Sequence, residues 1–327
     1  MLRRFAGGLA QLCLLMGAFW TVGAWAHGGA DAYPDRPIKI IVPFPAGGSV
    51  DVLARVVAQN LTEAWGQQVV VEPRPGASTM VGTGAAAKAA PDGYTLIMVV
   101  SNHATNPALY PKIAYDSRRD FAPVALIART PIVLYATPTL PANNLVQLVA
   151  LAKTKQGGVD FGSAGVGSMT HLTAELFKIA SGATLTHVLY RGGAPALNDL
   201  IAGHLALQFG TVGQAYGQYR GGQVKALAIS STQRYASMKE VPTFAEQGFD
   251  VAVTEWYGLL APAGTPKPII AKLNAELKRI MALPNLGDRL NAIELTHTTP
   301  EEFDSFLIAE TDRWGALIKK LGITAQQ

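Results

Sequence analysis

Ile38-Lys39-Ile40-Ile41-Val42-Pro43-Phe44 is a short run rich in β-branched residues, and it ends in Pro45-Ala46-Gly47-Gly48-Ser49. Directly behind it, Val50, Leu53, Ala54, Val57 and Leu61 recur at the spacing of one buried helical stripe. Strand, glycine loop and helix in that order place the chain among α/β proteins. The alternation continues with a strand over 68–72, a small-residue helix over 80–90, the turn Pro91-Asp92-Gly93 and a strand over 94–100. After Pro131 a strand over 132–136 opens a second series: helix 145–155, strand 159–163, helix 169–181, strand 186–190, helix 194–202 and strand 205–209. Strands over 224–230 and 256–261 and two closing helices complete it. Thr265-Pro266 and Thr299-Pro300 each set a capping hydroxyl before a proline at the first helical position, and Glu302 completes a Thr-x-x-Glu capping box. The alternation predicts a mostly parallel sheet, and no repeat is visible.

With 327 residues, 49% of them hydrophobic, the chain fills a core, and its 33 Gly and 20 Pro stay below the share that marks low-complexity sequence. At roughly 100–200 residues per domain the length predicts two domains. Met1 to Arg4 carry two positive charges, an apolar stretch follows from Phe5 to Trp25, and Ala24 and Ala26 flank Trp25. That is the pattern of a secretory signal peptide cleaved after Ala26, with an uncleaved anchor as the alternative. Cys13, the one cysteine, lies inside this leader, so the mature chain is expected to have no disulfide and no Cys-based metal or catalytic site. Leu12 before it does not suit lipid attachment. The net charge of +4 falls further once Arg3 and Arg4 leave, and the remaining cations are scattered, which disfavours nucleic acid as a partner.

Chemistry has two places to sit. The loop Pro45 to Asp51 exposes N–H groups at the positive end of a helix and forms either an anion cradle or a plain tight turn. It lacks the Gly-Lys-Ser/Thr of a nucleotide loop. The second copy, Ala164-Gly165-Val166-Gly167-Ser168, follows another strand and precedes a helix carrying His171; it misses the third glycine of a dinucleotide fingerprint. Ser168 reads as an N-cap, a ligand-binding hydroxyl or, with His171, a nucleophile, although the Gly-x-Ser-x-Gly elbow is missing. His103 and His171 stand in loops after strands, where each either binds ligand or bonds backbone. Asp51 either caps and salt-bridges its own helix or helps close a cleft. Trp256 and Tyr257 line a cleft or belong to the core. None of the six histidines forms a metal-binding pair, and no cofactor is expected.

Arg36-Pro37-Ile38-Lys39, Val42-Pro43-Phe44-Pro45-Ala46-Gly47-Gly48 with Asp51, and Ala90-Pro91-Asp92-Gly93-Tyr94-Thr95 together resemble the signature of the Bug family, the periplasmic receptors of tripartite tricarboxylate transporters. Further matches are Gly165-Val166-Gly167-Ser168 with His171-Leu172, His187-Val188, Tyr190-Arg191-Gly192, Val241-Pro242-Thr243 and Trp256, so that the resemblance runs from Tyr33 to Gly322. It implies a two-domain, type II periplasmic binding (Venus-flytrap) fold. In that family a small carboxylate is held between the domains by backbone amides, hydroxyls and bridging waters. The first pincer would be Ala46, Gly47, Gly48 and Asp51, and the second Gly165, Val166, Gly167 and Ser168. The expected ligand-binding set adds Phe44, Ser101, His103, His171, Gly210 and Thr211. Two departures stand out: relatives have Gly-Ala-Gly-Gly where this chain has Gly76-Ala77-Ser78-Thr79, and commonly an Asp where it has Gly210.

The resulting expectation is a signal peptide over 1–26, a first domain over 27–130, a second over 131–252 and a return to the first over 253–327. The chain is expected to be a monomeric, non-catalytic periplasmic receptor that binds a small mono- or dicarboxylate and passes it to membrane permease subunits. A sensory adaptor for a membrane kinase and an exported serine hydrolase are the alternatives.

Overall fold

The computed structural model describes residues 32–284, 286–287, 290 and 293–325. The leader, with Cys13 and the expected cleavage position, lies outside the described residues. β1 (Ile38–Val42) runs into α1 (Ser49–Trp65), whose Leu53, Ala54, Val57 and Leu61 are fully buried. Burying each leucine contributes roughly 1.5–3 kcal/mol, and the stripe sets α1 against its own sheet. β2 (Val69–Pro73), α2 (Met80–Ala87) and β3 (Thr95–Val100) follow, with β1 pairing in parallel to both β2 and β3. β3 is buried from Leu96 onward, as its unbroken apolar run requires.

Two long strands decide the architecture. β4 (Phe121–Ala136) pairs with β9 (Thr254–Pro262) from Phe121↔Pro262 to Pro131↔Thr254, and from Ile132 onward it pairs with β7 (Leu207–Thr211) and β8 (Lys225–Ile229). One strand thus belongs to two strand groups. In the second group β5 (Val159–Gly162) lies between β6 (Leu185–Val188) and β7, parallel to both, and each of the three leads into a helix: α5 (Met169–Ser181), α6 (Gly193–Ala202) and α7 (Val212–Arg220). α3 (Asn102–Leu109) follows β3 directly, and α4 (Leu145–Thr154) precedes β5.

The chain closes with α8 (Lys267–Met281), β10 (Glu294–Leu295) and α9 (Pro300–Leu321). α9 carries the expected capping box on Thr299 and Glu302 and places Phe303 in one core cluster and Trp314 in another. Trp256 is core, not cleft: it is 1% exposed, edge-on to Phe303 and Phe306, with its indole N–H on Glu310. Gly258 is obligatory beside it, since a Cβ there would fall 2.1 Å from the Phe303 ring.

Four sequence expectations need correction. The sheet is mixed rather than mostly parallel, because β9 returns antiparallel to both β3 and β4 and β4 is antiparallel to all its partners. β4 begins at Phe121, not after Pro131: a register shift follows Pro123, and Pro131 stands where β4 passes from β9 to β7 and β8, the kinds of place where a sheet tolerates proline. α3 and α7 were not foreseen: α3 holds Asn, Thr and an internal Pro107, and α7 is glycine-rich and kinked at Ala215, so neither carries a periodic stripe. Thr265 does not cap α8; its hydroxyl donates to Pro262 O and the helix begins after Pro266.

Candidate functional site

The two glycine loops are built on one backbone plan and held by different side chains. In the first, Gly47 takes a φ of +89°, and its N–H donates to Asp51 Oδ2 at 3.0 Å. Arg55 Nε donates to the same oxygen at 2.8 Å. Asp51 is 3% exposed, and its Oδ1 has no hydrogen-bond partner. Burial raises its pKa, yet the bonds from Arg55 and Gly47 together hold it below the ordinary carboxylate value. Gly48 is the N-cap of α1 and no side chain caps it, so the first-turn N–H groups stay open to solvent or ligand. Ala46, Gly47 and Gly48 are exposed and Phe44 is half-buried.

In the second loop Gly167 (φ +73°) donates its N–H to His171 Nδ1 at 3.2 Å, the same four-residue reach as Gly47 to Asp51. Ser168 is the N-cap of α5: its Oγ accepts from His171 N–H, donates to Gly165 O at 2.6 Å and lies 2.8 Å from Thr170 Oγ1. Ala164 N–H goes to Thr170 Oγ1, Gly165 N–H to Ser163 Oγ and Ser168 N–H to Gly165 O. Ser163 Oγ in turn sits 2.8 Å from His187 Nε2, and His187 stacks between Phe161 and His171 with centroids at 4.8 and 4.3 Å. Burial lowers both histidines to about 4, so each is a neutral ring at neutral pH.

This accounting refines the expected pincers. The N–H groups of Gly47, Gly165, Gly167, Ser168 and His171 are already taken by the protein, and among the described residues the donors left over are those of Ala46, Gly48, Val166, the first turn of α1 and, in α5, Met169 and Thr170. Ser168 and His171 do not form a nucleophile and base, since Nδ1 of the ring accepts from Gly167.

The remaining candidates are scattered. His103 is not in a loop: it lies in α3, packed on Tyr115 and Phe121, with Nε2 2.8 Å from Ser117 O, and burial lowers it to about 4. None of these contacts belongs to a glycine loop, so its assignment to the ligand is not supported by its packing. Ser101 is fully buried and donates its N–H to Glu255. Gly210 is a paired residue of β7 whose open side is filled by Gln214 Oε1, 3.1 Å from where a Cβ would stand. Thr211 heads α7 without a side-chain cap bond.

Sequence reasoning missed the parts that join the loops. Among the described residues no hydrogen bond runs directly between the two. Instead α3 reaches the second: Thr105 Oγ1 donates to Gly167 O at 3.0 Å, and Leu109 packs so close that a Cβ on Gly167 would stand 1.9 Å from it. The same helix holds a third loop, with Asn102 Nδ2 on Ser78 Oγ at 3.2 Å and Asn106 Nδ2 on Ser78 O at 2.7 Å. Ala77, Ser78 and Thr79 all have positive φ there, at 44°, 51° and 77°. The signal was in the sequence, because Ser78 and Thr79 replace the glycines of the family pattern.

Residues 53–323 match the family described as "Tripartite tricarboxylate transporter family receptor". The chain belongs to this receptor family. It is 37% identical to protein BugT of Bordetella pertussis over 96% of this chain and 98% of BugT. Among solved structures, Rpa4515 of R. palustris with adipate is 33% identical with a TM-score of 0.85, covering 89% of this chain and 99% of that one. MatC of Rhodopseudomonas palustris with bound malate is 31% identical with a TM-score of 0.80, covering 88% of this chain and 100% of that one. The receptor therefore has the two-domain α/β fold of type II periplasmic binding proteins, within a family of solute-binding receptors. No helix among the described residues is long and apolar enough to cross a membrane.

Proposed function

We propose that this receptor is exported to the periplasm by a cleaved signal peptide, binds a small mono- or dicarboxylate without transforming it, and delivers it as a monomer to the permease subunits of a tripartite tricarboxylate transporter. The observation that carries the reading is the pair of strand, glycine loop and helix junctions. The first presents the uncapped first-turn N–H groups of α1 and the second those of Met169 and Thr170, beside the one that Ser168 caps, and such groups suit an anion's oxygens. The adipate and malate held by two relatives fit the same chemistry. On this reading residues 27–130 with 253–327 form one domain and 131–252 the other; β4 crosses between them, and β9 begins where the chain returns to the first. Closure follows if the ligand touches both junctions only when they approach, since a ligand shifts an equilibrium by its differential affinity alone.

A thermal-shift series with adipate, malate and other small mono-, di- and tricarboxylates tests it. A ligand at about 100 times its Kd stabilises by roughly 2.7 kcal/mol, or about 4 °C for a chain of this size. No shift from any acid, after denaturing and refolding to strip bound ligand, would overturn the carboxylate reading. Hydrolase activity is disfavoured because His171 is committed to Gly167, and ester turnover abolished by Ser168→Ala would reverse that judgement.

A further inference from the structure

Glu255 is a carboxylate in the middle of the protein, 8% exposed, on β9 one residue from the point where β4 leaves β9 for β7 and β8. Its Oε1 accepts from two backbone donors, Ser101 N–H and Trp256 N–H, each at 3.1 Å. Ser101 is the N-cap of α3, so this contact fixes the start of the helix that holds Gly167 O through Thr105 and Ser78 through Asn102 and Asn106. Two residues on, Tyr257 lies on the same face of β9, and its hydroxyl donates to Ser49 Oγ, the first residue of α1, at 3.3 Å. β9 thus touches the helix starts behind both glycine loops.

We propose that Glu255 is a positioning residue that sets both glycine loops from the start of β9, through Ser101 and α3 to the second and through Tyr257 and Ser49 to the first. It makes no ligand contact in this role. The role rests on the reading of these loops as the ligand site, although the loops' order can be measured without any ligand.

The surroundings make the contact sensitive to protons. α9 presents Glu310, which is engaged by the indoles of Trp256 and Trp314 and has Arg313 3.7 Å away. β4 presents Thr130 opposite Glu255, with an unpartnered buried hydroxyl, and beside it Arg129, whose guanidinium lies over Phe306. α3 presents Ser101, and β9 presents Tyr257. Among the described residues no cation pairs with Glu255. Burial first, and the Glu310 charge in addition, lift it to about 7 against the pull of the Ser101 and Trp256 donors. A carboxyl whose folded pKa exceeds its unfolded value contributes stability that is complete below the unfolded pKa and is lost as pH rises through the folded one.

Hydrogen exchange on the ligand-free protein separates positioning from local support. In Glu255→Ala, exchange is expected to quicken about tenfold not only over 101–109 but also over 45–51 and 164–171, while Glu255→Gln, which keeps an oxygen for both N–H groups, stays within about twofold of wild type. Acceleration confined to Ser101 and Trp256 would overturn the proposal. If the Ala variant does not fold, pH melts of wild type and Glu255→Gln decide. The melting temperature of wild type relative to Glu255→Gln should fall from about pH 4.5 to about 7.5 and level off above, whereas parallel curves would sink the idea. The carboxylate thermal-shift series beside these separates the two readings, because wild type that binds no acid defeats the functional proposal while the exchange pattern still judges this one.

Discussion

The two glycine loops solve one problem in two ways. Both bend a strand into a helix through a left-handed glycine, and both tie that glycine's N–H to a side chain four residues on. In the first the acceptor is an ionised Asp51 neutralised by the half-exposed Arg55, on a loop that is otherwise open and uncapped. In the second it is a neutral His171 within a stack of Phe161, His187 and His171, on a loop capped by Ser168 and pressed by Leu109. The same backbone shape therefore depends on charge in one place and on packing in the other. An ion pair whose cation is exposed is weakened and screened by salt, whereas a packed loop resists change in proportion to the space it lacks.

The largest expected contrast is between glycine substitutions. Gly167→Ala meets both a left-handed backbone and Leu109 at 1.9 Å, and should cost about 3–4 kcal/mol by denaturant titration. Gly47→Ala has no atom within 4 Å and should cost only the backbone strain, about 1–2 kcal/mol. Equal losses would break the comparison. Next is the cap: Ser168→Ala should lose about 1–2 kcal/mol, with no counterpart in the first loop because Gly48 makes no side-chain cap bond.

Acid sharpens the difference. His171 falls from 6.5 unfolded to about 4 folded, so its contribution is present above the unfolded value and is lost as pH drops through that window. Asp51, held below its ordinary value, loses its contribution only as pH falls below the carboxylate range. His171→Asn should therefore flatten the pH–melting slope between about 6.5 and 4 relative to wild type, while Asp51→Asn leaves that window unchanged and flattens the one below. The smallest effect is Arg55→Ala, a loss of about 0.5 kcal/mol or less, which should shrink further at about 1 M salt.

Much of this was legible in the sequence because it is local. Ser168 as an N-cap and the Thr299 capping box depend on residues within one turn, and α1 and α5 follow from apolar spacing. α3 was not legible, since Asn, Thr and Pro107 have no helical preference and the helix exists because Asn102, Thr105 and Asn106 all find partners far along the chain. For the same reason the sequence placed His103 in a loop rather than in α3, since its environment of Tyr115 and Phe121 comes from another segment. Ser78 and Thr79 announced themselves only as departures from a family pattern, and their left-handed geometry explains why glycine is the usual choice there.

By itself the sequence determined the α/β class, the two glycine junctions and the family, because each rests on short-range spacing and on motifs read in order. Tertiary structure decided which amides remain free for a ligand, that β4 spans both strand groups, and that α3 and Glu255 stand behind the loops. Those outcomes depend on partners up to 208 residues apart, brought together by burial, and no local pattern encodes them.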